Sequence, residues 1–309
     1  MSTTPNNKIL VVIAGPTASG KTDLAITLAK HFNTEIISAD SRQFYREIPI
    51  GTAAPTADQL AIIPHHFVGN ISIHDAYNVS QYEKEVLTLL NKKMDTLPVM
   101  IMVGGSGLYI NAVCNGIDEL PNPDPSLRTE LNDLFQKKGL SALQKLLSEL
   151  DPEYFQQVDK NNPKRLLRAI EVCKQTGKKY SALRQNKTVQ RPFHILKIGL
   201  ELPRPILNQR IHLRTKQMMT AGWLDEARTV YPFRHLNALN TVGYKELFAH
   251  FDGKLTLEEA VEKIKTNTRR YAKRQMTWFR KDQSIHWFHP KAVADIMAFI
   301  HQYQQSLPQ

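Results

Sequence analysis

A chain of 309 residues, 42% hydrophobic and 22% charged, carries enough apolar side chains for a sizeable core and is not composed like a disordered protein. Its longest apolar runs, residues 9–14 and 99–103, are far too short to cross a bilayer, and residues 1–8 (MSTTPNNK) lack the charged head and apolar stretch of an export signal. The net charge of +11 is uneven: residues 1–150 hold 12 Lys+Arg against 15 Asp+Glu, residues 151–309 hold 28 against 14. A basic back half suits docking of an anionic macromolecule. Cys114 and Cys173 are the only cysteines and have no metal-ligand spacing, which argues against a disulfide framework and for the reducing cytoplasm.

Residues 8–14 (KILVVIA) form a continuous, β-branched apolar run, the pattern of a strand buried inside a parallel sheet. A Gly-rich turn follows, then helical periodicity over 22–31. Residues 35–40 (EIISAD) predict a second buried strand ending in a carboxylate. Residues 82–94 are helical in pattern, and 97–105 (LPVMIMVGG) predict a third strand ending in glycines. Strands alternating with helices predict a doubly wound parallel α/β sheet, with ligands outside the carboxyl ends of its strands.

The pattern changes at residues 121–125 (PNPDP), which cannot continue regular structure and are expected to form a linker. Periodicity is helical from 126 to about 177, broken at Gly139, at 151–152 and at 161–163. A strand pattern returns at 194–202, residues 204–282 are again mostly helical, and 285–289 can supply a last strand. The expected organisation is a P-loop core over 1–120, an all-helical insertion over 121–193, and the rest of the core over 194–309.

Gly15, Pro16, Thr17, Ala18, Ser19, Gly20, Lys21 and Thr22 fit G-x-x-x-x-G-K-[ST], placed between a strand and a helix as that motif requires. Glycines let backbone N–H groups turn around phosphate oxygens, and the helix N-terminus adds its positive dipole end. Lys21 neutralises the outer phosphate, and Thr22 is the expected Mg²⁺ ligand. No Walker-B carboxylate ends the third strand, which closes in Gly104, Gly105, Ser106 and Gly107. Asp40 is the available carboxylate beside the loop. Its position suits a general base, but also an N-cap or a metal-associated group. At 100° per residue, Arg269, Arg270, Lys273, Arg274, Arg280 and Lys281 fall within an arc of about 140°. Tyr271, Ala272, Met276, Trp278 and Phe279 fall opposite, so the helix is expected to pack on the core and present Lys273 and Arg274 to an anionic macromolecule.

GPTASGKT is followed by SADSRQFY (38–45), GTAAP (51–55), PHHF (64–67) and VGGSGLY (103–109), and then by NNPKRLLRAIEV (161–172), RIHLRTKQM (210–218), VGYKE (242–246) and TRRYAKRQMTWFR (268–280). In these motifs, which occur in family order over most of the chain, it resembles the bacterial tRNA dimethylallyltransferase (tRNA isopentenyltransferase) family. The resemblance implies transfer of a dimethylallyl group from dimethylallyl diphosphate to the exocyclic amine of the adenosine 3′-adjacent to a tRNA anticodon. It implies a P-loop holding diphosphate, Asp40 as the base, and Lys21, Thr22-bound Mg²⁺ and Arg214 stabilising the leaving group. Ser106, where the family has Thr, supplies a hydroxyl, and Arg128 matches a position tied to activity.

For the anticodon stem-loop, the resemblance implies contacts from Asp40, Ser41, Arg42 and Gln43, from Lys164, Arg165, Leu166, Leu167 and Arg168, and from Gly243, Tyr244 and Lys245. Ala54 stands where the family has lysine, His212 and Lys216 where it has aspartate, and Phe44 where it has Val. A monomer is expected. Two other readings are a transferase acting on free adenine nucleotides and an RNA-binding P-loop kinase or ATPase.

Overall fold

The structure is a computed structural model that describes residues 7–185 and 188–307. Residues 1–6, within the stretch expected to hold no export signal, lie outside the described residues. No helix among the described residues is long and apolar enough to cross a membrane. The chain divides into two compact units, one formed by residues up to Cys114 with Gln190 onward, the other by Asn115–Val189.

The first unit is built on six parallel strands: β1 (Ile9–Ala14), β2 (Ile36–Ser38), β3 (His65–His66), β4 (Val99–Gly104), β5 (His194–Leu200) and β6 (Ile285–Phe288). Their order is β3-β2-β4-β1-β5-β6, so β1 sits centrally, with Ile9 opposite both Val99 of β4 and His194 of β5. β1 and β4 are buried along their whole length, which is why they read as unbroken apolar runs. Alternate residues of β1 serve opposite faces. Ile9, Val11 and Ile13 pack with Leu24 and Leu28 of the Lys21–His31 helix and with Ile296 and Ile300. Leu10, Val12 and Ala14 pack with Tyr82, Val86 and Leu90 of the Val79–Lys93 helix.

Several elements escape the sequence pattern, among them the helices Ala57–Ile62 and Gly107–Asn115. β3 has only two residues, too few to show a period, and pairs with Ile36 and Ile37. The helix Val293–Gln305 closes one face of the sheet through Ile296 and Ile300. Beyond β5, the helices Arg204–Thr220, Trp223–Val230, Tyr244–Phe251 and Leu257–Phe279 gather over the carboxyl end of the sheet. Thr256 starts the last of these with a reciprocal capping box to Glu259.

The second unit is helical. Asp124 caps the helix Pro125–Leu150, so Pro125 begins a helix at N1 instead of continuing a linker. Gly139, at φ 72°, interrupts that helix. Asn162 caps Pro163–Thr176, and Gly177 ends it in the left-handed region. Leu131, Leu143, Leu147, Leu166, Leu167 and Ile170 form the core of the unit.

Candidate active site

The loop after β1 turns into the Lys21–His31 helix through Gly20, whose φ of 96° puts it in the left-handed region. No side chain caps this helix, so its first-turn N–H groups are left for an anion. Ser19 Oγ is buried with no hydrogen-bond partner among the described residues, a hydroxyl enclosed inside the loop. Lys21 Nζ donates to Pro16 O at 2.6 Å, which folds the ammonium back over the loop. Burial drives the Lys21 pKa down to about 7; the positive charge of Arg214 adds to this, and the Asp40 carboxylate opposes it.

The Arg204–Thr220 helix supplies two arginines one turn apart. Arg214 Nη1 donates to Thr17 Oγ1 at 3.1 Å, and Arg210 Nη1 donates to Ser19 O at 3.2 Å. A mouth of about 540 Å³ opens in front of the loop, with Gly20, Lys21, Thr22, Arg210 and Arg214 in its wall. Behind it lies a second cavity of about 100 Å³, lined by Asp40, Arg42, Thr52, Trp223 and Tyr271. Ala18 and Arg214 line both, so Arg214 stands where the phosphate mouth meets the carboxylate cavity.

Asp40 lies two residues beyond β2, and its Oδ1 accepts from Arg42 N at 3.0 Å. Ser106 Oγ accepts from Ser41 N at 2.9 Å and tethers this turn to the end of β4. Burial and the nearby Asp40 carboxylate push the Tyr271 phenol up. On the far wall, Glu226 accepts from Ile50 N at 2.7 Å, Gly51 N at 2.8 Å and the Tyr244 hydroxyl at 2.5 Å, which holds the Gly51–Thr52 backbone in place.

This is a P-loop site whose charges are arranged for a phosphorylated ligand and whose carboxylate sits in a separate adjoining chamber. A sequence profile of the family described as IPP transferase matches residues 43–282. The chain belongs to the IPP transferase family. It is 50% identical over 296 residues to tRNA dimethylallyltransferase 2 of Parabacteroides distasonis, covering 96% of this chain and 98% of that one. It is 52% identical over 279 residues to tRNA dimethylallyltransferase of Christiangramia forsetii, covering 90% and 92%. Among solved structures, the full-length tRNA isopentenylpyrophosphate transferase of Bacillus halodurans aligns with a TM-score of 0.71 at 35% identity, over 96% of this chain and 97% of that one. A eukaryotic dimethylallyltransferase acting on tRNA aligns at 0.78 and 25% identity, over 97% and 80%.

In this IPP transferase, Lys21, Thr22, Asp40, Ser106 and Arg214 come together around the two cavities or their tethers. Several other expected site residues have partners within the protein. Leu166 and Leu167 are buried in the core of the helical unit and cannot offer side chains to RNA. Arg128 and Arg168 both bind Glu171, a carboxylate with no exposure; Arg128 grips it with Nε at 2.8 Å and Nη2 at 2.6 Å. Their pairing offsets the cost of burying that charge. Tyr244 is a core residue, and Gly243 is required because a Cβ there would lie 2.0 Å from the Trp223 ring. Lys245 alone of the three is exposed. Gln43 Nε2 donates to Ala53 O at 3.0 Å, so its amide braces the loop before Ala54.

The basic helix also departs from its expected two faces. Trp278 is 47% exposed, not buried, and packs over Gly107. Lys273 lines a groove of about 900 Å³ with Arg204, Arg269 and Arg270, while Arg274 leans over the Tyr271 ring at 5.8 Å. Pattern reading misses Gln275 altogether, although its phase at the middle of the apolar arc marks it as a buried polar group in need of partners. It is 6% exposed and reaches both the P-loop and the end of β4.

Proposed function

We propose that this chain transfers a dimethylallyl group from dimethylallyl diphosphate to the exocyclic amine of the adenosine 3′-adjacent to the anticodon in tRNA. The observation that carries this reading is the junction at Arg214, where a phosphate mouth opens into a chamber holding a carboxylate. The diphosphate occupies the loop, and the adenosine leaves its stack to enter from the Asp40 side. The amine nitrogen forms a bond to the allylic carbon as the carbon–oxygen bond breaks, diphosphate departs, and Asp40 accepts the amine proton. Lys21 and Arg214 meet the charge that develops on the departing oxygens.

The donor set suits Mg²⁺. Among the described residues there is no cluster of three or more His, Cys, Asp and Glu side chains, and the loop instead offers the hard hydroxyl oxygen of Thr22. Mg²⁺ takes few protein ligands when phosphate oxygens and water complete its shell. Thr22 would hold the ion, which supplies charge neutralisation for the leaving diphosphate. For the anticodon stem-loop, exposed Lys164, Arg165 and Lys245 and the cations Lys273 and Arg274 supply phosphate contacts. The enzyme acts as a monomer in the cytoplasm.

Incubation with labelled dimethylallyl diphosphate and either total tRNA or AMP tests the reading. Label is expected in tRNA. Label in AMP alone identifies a free-nucleotide transferase, and phosphate release from ATP without prenyl transfer identifies an ATPase.

A further inference from the structure

Gln275 lies on the inner side of the Leu257–Phe279 helix and makes two hydrogen bonds to loops far away in the chain. Its Oε1 accepts from Thr17 N at 2.9 Å, and its Nε2 donates to Gly105 O at 2.9 Å. The contact is tight: a Cβ on Gly105 would lie 2.2 Å from Nε2. Thr17 is the residue whose hydroxyl receives Arg214. Gly105 precedes Ser106, whose hydroxyl receives Ser41 N beside Asp40. One carboxamide thus joins the loops after β1 and β4, and through Ser106 the loop after β2. These loops carry the phosphate cradle and the carboxylate. The task needs an acceptor and a donor on one side chain, which Gln and Asn offer and which Glu, Met and Leu do not. Asn is one methylene shorter and cannot span both partners at these distances.

We propose that Gln275 is a positioning residue for the transfer reaction, setting the spacing between the diphosphate loop and the Asp40 turn. This rests on the prenyl-transfer reading above. The same helix turns Lys273 and Arg274 outward, so the segment that carries the RNA-facing cations also holds the phosphate loop in register. Displacement of reacting groups by about 1 Å can cost on the order of a hundredfold in rate.

The test compares Gln275→Met, which has similar length and no polar group, with Gln275→Asn, which can keep one bond. Turnover is measured with dimethylallyl diphosphate and tRNA, and binding of inorganic diphosphate with Mg²⁺ and of tRNA is measured separately. Gln275→Met is expected to lower kcat/KM for the diphosphate substrate by roughly ten- to a hundredfold, with Gln275→Asn in between and tRNA affinity unchanged. Wild-type kcat and KM in both variants would overturn the proposal. So would parallel loss of tRNA binding, diphosphate binding and thermal stability in the milder Asn variant, since that marks a residue that only supports the fold. If the unaltered enzyme transfers no prenyl group, the functional reading fails by itself, and diphosphate binding still reports whether Gln275 sets the loop.

Discussion

Arg214 donates to Thr17 Oγ1 at 3.1 Å across 197 positions of sequence, and so places a guanidinium from a late helix inside the wall of a phosphate loop near the N-terminus. The same side chain faces the chamber of Asp40. Burial weakens the basicity of Arg214 and the Asp40 carboxylate supports it, but a guanidinium remains charged in any folded protein. A fixed cation between the mouth at the phosphate loop and the cavity of Asp40 is the central electrostatic feature of the site.

Removing either cation of the mouth tests that arrangement. Lys21→Ala and Arg214→Ala are expected to weaken diphosphate binding and to slow transfer by about 10²-fold, in the range of losing one electrostatic donor. Affinity for tRNA should hold. Calorimetry with diphosphate and filter binding with tRNA separate the two effects, and loss of tRNA affinity alone would move these residues to the RNA surface.

Asp40→Asn keeps the size and the acceptor oxygen that binds Arg42 N. Both substrates should still bind, while single-turnover transfer slows by about 10² or more, the usual contribution of a positioned base. Near-normal turnover would remove Asp40 from that role.

Lys273 lines the groove of about 900 Å³ while Arg274 leans over the Tyr271 ring, so their single variants need not behave alike. Each residue that contacts an RNA phosphate contributes roughly 0.7–0.9 to the slope of log affinity against log salt. Lys273→Gln and Arg274→Gln should each weaken tRNA binding and flatten that slope by one such step. A flat response in one variant identifies which side of the helix is only solvated.

Glu35 at the foot of β2 tests the sheet edge. Burial alone would raise its pKa, but hydrogen bonds from Lys93 Nζ at 2.8 Å and His66 Nε2 at 2.6 Å outweigh it and hold the carboxyl below its ordinary value. A depressed carboxylate contributes stability above its unfolded pKa and loses it as pH falls through the folded one. Glu35→Gln should therefore cost about 1–2 kcal/mol at pH 7. Its deficit against wild type should shrink progressively below about pH 4.5. Urea midpoints across that range measure the gap, and a constant deficit would mean the charge is irrelevant.

The P-loop, the buried strands β1 and β4 and the carboxylate at Asp40 were legible because each rests on neighbours in the chain. An unbroken apolar run is the mark of a strand covered on both faces, and a glycine at a fixed offset marks a turn that needs positive φ. The helical character of the insertion was legible from periodicity, and its caps at Asp124 and Asn162 obey local rules. The family motifs name Lys21, Asp40 and Arg214, and these three line two adjoining cavities.

Which polar side chains meet was settled only in three dimensions. Leu166 and Leu167 sit inside a basic motif yet face a core, because an amphipathic helix sends neighbouring residues to different faces. Arg128 and Arg168 look like surface cations until Glu171, on a helix packed against that of Arg128, proves to be buried between them. Gln275 has no local signal beyond its phase, and its partners Thr17 and Gly105 lie 258 and 170 positions away. The sequence by itself determined the phosphate loop, the sheet and the family. The tertiary structure decided how charge and hydrogen bonds close the site, because those pairings depend on how helices stack over the strand ends, and no spacing along the chain encodes that.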